Sequence, residues 1–308
     1  MKLFDLHCDT LLNAAISGAS LVPKSNGLQI SLEAAAKYEK YVQTLAVFSD
    51  PDNSNDEAYA RFLECCGYLR ADSLRYPDSF AYVIAVEGAN LLNGDISRFD
   101  FLVSRGVKFL TLVWGGYTCI GGAHNDPEGR GLTDFGRQVA VKCFENGIIP
   151  DMSHCSDKLF WECAELSEKY GKPIIATHSN SRAICDHSRC LTDDMFRFLV
   201  KCGGICGISM VRGHLKKDGW KNPCGTDVIW SHIEHFLSLG GENSVALGTD
   251  LDGTSPLPDG IDGVGTLYVI ADEMARRGCS DALINKVFYQ NAADFADSNN
   301  IFPIERKK

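Results

Sequence analysis

Met1-Lys2-Leu3-Phe4-Asp5-Leu6-His7-Cys8-Asp9-Thr10 opens the chain as a short apolar run that closes on His-x-Asp. In a strand, side chains alternate faces, so His7 and Asp9 point one way and Cys8 the other. An imidazole and a carboxylate then share one site, and a borderline cation such as zinc accepts both nitrogen and oxygen donors. A lone His-x-Asp also arises where a histidine is satisfied locally and an aspartate caps the next helix. The reading therefore turns on what recurs downstream.

Short apolar runs recur at fairly regular intervals and predict eight strands: Leu3 to His7, Val42 to Phe48, Ala81 to Glu87, Val107 to Trp114, Gly147 to His154, Pro173 to His178, Gly204 to Met210 and Val245 to Asp250. Helical periodicity fills most of the intervals. Phe135, Val139, Ala140, Cys143 and Phe144 share a face before Gly147; Ser156 can cap a helix that Gly171 ends; Thr192 starts another; Thr226 or Asp227 starts a fourth that stops at Gly240. Eight strands alternating with helices in 308 residues favour a single α/β domain over residues 1–308, a (β/α)8 TIM-type barrel with C-terminal helices. No G-x-G-x-x-G follows the first strand, as a dinucleotide-binding sheet would require. The glycine-rich stretch Gly115 to Gly131 and the stretch Leu251 to Gly265 are the long loops after strands four and eight. Such loops carry specificity in barrels of this kind.

Composition excludes several classes. A formal net charge of −10 argues against a polyanionic partner such as nucleic acid, and no basic stripe is visible. No apolar run approaches the roughly 18 residues of a membrane span. The first strand begins almost at Met1, with no basic, apolar and small-residue leader before it, which gives an expectation of cytoplasmic residence. Thirteen cysteines without a C-x-x-C pair read as reduced thiols in such a setting.

Metal-type side chains stand at the C-terminal ends of five predicted strands: His7 and Asp9, Glu87, His154, His178 and Asp250. Three histidines and three carboxylates exceed the needs of one tetrahedral zinc but suit two metals sharing a carboxylate, for which Glu87 is the natural bridge. Taken in order, Asp5-Leu6-His7-Cys8-Asp9, Val86-Glu87-Gly88, Gly131-Leu132-Thr133-Asp134-Phe135-Gly136, Asp151-Met152-Ser153-His154, Thr177-His178-Ser179-Asn180 and Gly248-Thr249-Asp250-Leu251-Asp252-Gly253 resemble the motifs of the membrane (renal) dipeptidase family, peptidase family M19. The resemblance covers residue 5 to about residue 253. It implies an amidohydrolase-like metal barrel that hydrolyses free dipeptides with two zinc ions per chain and a metal-bridging hydroxide. It further implies that His7 and Asp9 hold one zinc and His154 and His178 the other, with Glu87 between them. By the same resemblance Asp250 is the acid/base, Arg189 grips the substrate carboxylate, and the protein forms a homodimer.

One position departs from the animal members of that family. After Leu110-Thr111-Leu112-Val113 they carry a histidine that contacts the substrate carbonyl, whereas this chain has Trp114, expected to wall the pocket without supplying an imidazole. Rival readings are a cyclic amidohydrolase, a TatD-like nuclease and a non-catalytic metal-binding barrel. The acidic charge opposes the nuclease, no lysine ends strand four to be carboxylated, and no ligand is missing. A serine nucleophile is opposed by the lack of a G-x-S-x-G elbow. His232 and His235 read as polar residues of a helix face and His187 and His214 as loop residues. His124, in the glycine-rich loop, is a candidate for substrate contact, and Cys8 and Cys155 should pack away from the site.

Overall fold

The computed structural model of the chain describes residues 1–50 and 54–305. Seven strands, β1 (Leu3–Cys8), β2 (Tyr41–Phe48), β3 (Phe80–Glu87), β4 (Val107–Thr111), β5 (Ile149–Asp151), β6 (Cys206–Ile208) and β7 (Val245–Leu247), pair in parallel in the order β5-β4-β3-β2-β1-β7-β6. The sheet is curled. The helices are α1 (Thr10–Ser17), α2 (Asn55–Asp72), α3 (Ser97–Ser104), α4 (Asp134–Asn146), α5 (Asp157–Tyr170), α6 (Asp193–Lys201), α7 (Arg212–Leu215), α8 (Thr226–Ser238), α9 (Tyr268–Arg276), α10 (Asp281–Asn285) and α11 (Asn291–Ser298). None of them is long and apolar enough to cross a membrane.

Helix starts follow the sequence signals. Thr133, Ser156 and Thr192 accept hydrogen bonds from Gly136 N, Leu159 N and Met195 N at 2.9, 3.1 and 3.2 Å, caps typically worth about 1 kcal/mol each. Helix α8 begins at Thr226, as expected, but its capping position is Gly225, which offers no side chain.

β1, β2 and β3 match their apolar runs to within a residue, β4 to β7 are shorter than theirs, and the sixth expected strand forms no ladder. Residues 173–178 bridge β5 at Asp151↔Ile175 and β6 at Ala176↔Cys206. Ile175 N donates to Pro150 O at 3.1 Å and Ala176 N to Ile205 O at 3.0 Å. Pro173 has no N–H to give, and beyond Ala176 the amides turn to side chains: Thr177 N to Asp151 Oδ1 at 2.8 Å and His178 N to Ser153 Oγ at 3.2 Å. The segment thus trades strand pairing for polar contacts that fix the residues around His178.

Alternation along the strands divides the apolar residues between two cores. Phe4, Leu6, Val42, Ala46, Val83, Ala85, Phe109, Ile149, Ile175, Ile205 and Ala246 fill the inside of the curl, which Phe295 and Ala296 of α11 close from below. Leu3, Leu45, Val47, Ile84, Val86 and Leu110 face outward with the helices, and Cys8 and Cys155 belong to that outer core, as packing residues should. Strand β4 joins β3 only from Ile84 onward, and β8 (Ile304–Glu305) covers the open edge at Ala81 and Tyr82.

Two glycines allow the backbone at Thr177 to pack closely against β6 and the end of β7. A Cβ on Gly207 would lie 2.0 Å from Thr177 O, and one on Gly248 would lie 1.8 Å from the same oxygen. Because that obstacle is backbone, Gly248→Ala is expected to lower stability by about 1–3 kcal/mol or more, through overpacking. Urea unfolding of the variant beside wild type measures it; a midpoint within error of wild type would mean that the backbone yields there.

Candidate metal centre and active site

Register brings the strand ends level. Phe48, Glu87, Thr111 and Asp151 are successive partners across β2 to β5, and Asp5 pairs with Leu247 on β7. Past these ends the chain bends sharply at His154 and Asp250, whose φ values of +68° and +62° are uncommon for residues with a side chain. Such conformations persist only where the surroundings hold them and concentrate at functional sites.

The six metal-type residues converge. Glu87 Oε1 lies 3.1 Å from His154 Nε2 and 3.3 Å from His178 Nε2, while Oε2 lies 3.6 Å from His7 Nε2. The two ring nitrogens of His154 and His178 are 3.0 Å apart, and His7 Nε2 is 3.9 Å from Asp250 Oδ1. Ligand-type atoms of His7, Asp9 and Asp250, and those of His7, Glu87 and His178, each lie within 4.8 Å of one another. All of these residues but His154 are buried, and His154 is nearly so. Gly253 makes room for the crowding, since a Cβ there would meet Asp9 Oδ2 at 2.1 Å and Asp250 Oδ1 at 2.4 Å.

Charges so confined shift one another. Burial opposes a charged His7, yet Glu87, Asp9 and Asp250 outweigh it and push its pKa up to about 10. Burial would also raise Glu87, but the charge of His7 and bonds from three imidazoles hold it well below the carboxylate range. Burial raises Asp9 strongly, with the charge of Glu87 adding to it, and lifts Asp250 to about 6. His154 is pushed down to about 4 by burial and by the charge of Arg189. His7 Nε2, Asp9 Oδ1 and His154 Nδ1 are buried without a hydrogen-bond partner. The His7 and Asp9 atoms left unpartnered, with the Nε2 atoms of His154 and His178 gathered at Glu87, form a donor set that suits a divalent, zinc-like cation.

A cavity of about 400 Å³ opens above the cluster. Asp9, Glu87, His154, Asp250 and Asp252 line its polar side; Leu12, Phe48, Trp114, Val211 and Trp220 give apolar wall; and Asn13, Asn125, His124 and His214 complete it. Trp114 packs on Phe48 with ring centroids 4.9 Å apart and stands 5.8 Å from the His154 ring. His7, His178 and Arg189 lie behind the lining, each at most 4% exposed. Arg189 Nη2 donates to His178 O at 2.7 Å and Nη1 to Ser179 Oγ at 3.3 Å, and its Nε is buried without a partner. Its charge, acting after burial itself, pushes down His124, His187 and His214.

Several minor readings change. His232 is not a surface helix residue: it is fully buried, with Nδ1 accepting from Ser181 N at 3.0 Å and Nε2 2.9 Å from Leu215 O. His235 pairs with Asp193 at 2.8 Å. His214 belongs to α7 and reaches the cavity, while His124 is tied by Nδ1 to Ser188 Oγ at 3.0 Å. Asp252, Asn13 and Trp220 are lining residues that sequence reasoning did not single out. Asp252 stood in a quoted motif, and nothing in the local pattern marks the other two.

A curled parallel sheet whose strand ends gather histidines and carboxylates under a cavity defines a candidate metal centre. The chain belongs to the membrane dipeptidase family, peptidase family M19, whose sequence model matches residues 1–294. Dipeptidase 3 of Mus musculus is 28% identical over 227 residues, 72% of this chain and 45% of that protein, so the chain spans about half the length of that curated relative. Among solved structures, a Rhodobacter sphaeroides metallopeptidase liganded with a phosphinate mimic of the dipeptide L-Ala-D-Ala superposes with a TM-score of 0.86 at 23% identity, over 96% of this chain and 99% of that one. The M19 metallopeptidase dipeptidase AC gives 0.87 at 24% identity, over 98% and 99%.

The glycine-rich loop beside the cavity is held by Asp126, which accepts from Arg130 Nε at 3.0 Å, Nη2 at 2.7 Å and N at 2.9 Å. These bonds hold its carboxyl well below the usual range. A depressed folded pKa contributes stability that is present above the unfolded value of 3.8 and lost as pH falls below it. Asp126→Asn should therefore be less stable than wild type at pH 7, with the gap narrowing as pH drops below 4. Melting curves of both proteins across that interval check it, and a gap independent of pH would contradict it.

Proposed function

We propose that this chain is a metal-dependent dipeptidase acting on free dipeptides, and that its curled sheet is a closed (β/α)8 barrel in which residues 173–178 take the eighth staves' place between β5 and β6. The carrying observation is the split presentation of Glu87, one oxygen toward His154 and His178 and the other toward His7. That arrangement supports a carboxylate bridging two zinc ions, one held with His7 and Asp9 and the other with His154 and His178. Cations held there supply a nucleophile at neutral pH and a Lewis acid for the scissile carbonyl.

The chain's own residues complete the reaction. Asp250 lines the cavity beside the cluster, and its pKa of about 6 suits a group that takes a proton from water and returns it to the leaving amine. Asp9, Glu87, Asp250 and Asp252 bring negative charge to the cavity lining, and Arg189, buried behind it, brings a positive charge felt by His124, His154 and His214. A free dipeptide is a zwitterion and complements that field, its ammonium toward the carboxylates and its carboxylate toward Arg189. The unpartnered Nε of Arg189 and its lack of an ion pair among the described residues support this role. Trp114 and Phe48 form an apolar wall for a side chain.

Three measurements test the reading. Metal analysis should find close to two zinc equivalents per chain, with Glu87→Ala lowering both; a Glu87 variant that keeps two would remove the bridge. Asp250→Asn should cut turnover about 10²- to 10⁴-fold with metal content unchanged, as loss of a general base does. A dipeptide should be hydrolysed and its C-terminal amide should not, and Arg189→Lys should lose much of kcat/KM because an ammonium cannot reproduce a guanidinium's fork. Equal cleavage of acid and amide would remove Arg189 as the anchor.

A further inference from the structure

Four of the quoted motifs carry a buried aspartate or threonine that takes no part in the reaction above. Thr249 N and Oγ1 donate to the two oxygens of Asp5 at 2.8 and 2.5 Å, and Thr177 N and Oγ1 donate to the two oxygens of Asp151 at 2.8 and 2.6 Å. Each threonine directly precedes a site residue, Asp250 or His178. The second clasp does something more. Thr177 Oγ1 also lies 3.0 Å from His178 Nδ1 and 3.3 Å from His7 Nδ1.

A hydroxyl has one proton and two lone pairs. Asp151 receives Ser153 N, Ser153 Oγ and Thr177 N on Oδ1, and Thr111 Oγ1 with Thr177 Oγ1 on Oδ2. With five donors facing it, the carboxylate acts only as an acceptor, so the hydroxyl proton of Thr177 points to Asp151. Its lone pairs are left for the imidazoles, and both Nδ1 atoms must then donate. A ring with its hydrogen held on Nδ1 and otherwise neutral, as a metal-bound imidazole is, presents an Nε2 lone pair on the side of Glu87.

We propose that Thr177, oriented by Asp151, is a positioning residue that fixes the Nδ1–H tautomer of His7 and His178 together and so makes both Nε2 atoms metal donors. This rests on the metal site proposed above. Because His7 comes from β1 and His178 from the segment beside β6, one hydroxyl sets the donors of both ions, and its loss should weaken both at once.

Nitrogen-15 spectra of histidine-labelled, zinc-loaded protein report which ring nitrogen carries hydrogen, and chelator competition reports zinc affinity. Wild type and Thr177→Ser should show protonated Nδ1 on His7 and His178. Thr177→Val should lose that pattern and bind zinc about 10- to 100-fold more weakly at both sites, the usual effect of removing an outer partner of a metal ligand. Thr111→Val removes a bond to the same Asp151 oxygen without touching either imidazole, and should keep both tautomers. Wild-type rings with hydrogen on Nε2 and zinc on Nδ1, unchanged tautomers and affinity in Thr177→Val, or an equal loss in Thr111→Val would each overturn the proposal. Zinc that leaves the wild-type His7 and His178 signals unmoved would overturn the metal site itself. The spectrum of wild type decides the tautomers even if Thr177→Val does not fold.

Discussion

Three carboxylates, Asp9, Glu87 and Asp250, are buried against three imidazoles where the parallel elements end, and like charges so confined need protons or cations between them. Protons can meet part of that need: the three carboxylates push the pKa of His7 up to about 10, and burial raises those of Asp9 and Asp250. Divalent cations answer the same constraint more completely, because each can face several donors at once. The surrounding architecture then reads as the means of holding mutually repelling groups together.

That means is largely polar. The Asp5–Thr249 clasp ties β1 to the end of β7, and Asp151 ties β4 and β5 to the residues around His178. The positive φ values at His154 and Asp250 lie beside these clasps, where backbone strain is offset by bonds to buried acceptors. Gly207 and Gly248 let the backbone at Thr177 come close enough for its clasp to close. Solved structures at 23–24% identity keep this chain trace.

Much of the site was legible because period-two alternation and strand ends are local signals, and His7, Glu87, His154, His178 and Asp250 all stand where short apolar runs stop. What escaped was set by partners distant in sequence. The segment 173–178 reads as a strand, but Asp151 and Ser153 claim its amides. His232 reads as a polar face residue until Ser181 and Leu215 are brought to its two nitrogens. Arg189 sits eleven residues after His178, a spacing that does not reveal that its guanidinium lies behind the lining on the carbonyl of that histidine.

The small strand β8 has a practical consequence. It pairs with Ala81 and Tyr82 near the start of β3, whereas Glu87 ends the same strand, so at the usual rise per residue the two lie about 20 Å apart on opposite ends of the sheet. A surface or fusion partner joined near Glu305 would hold the molecule by its floor and leave the mouth turned toward solution. Attachment at the loops after β4 or β7 would instead crowd the opening through which small molecules pass.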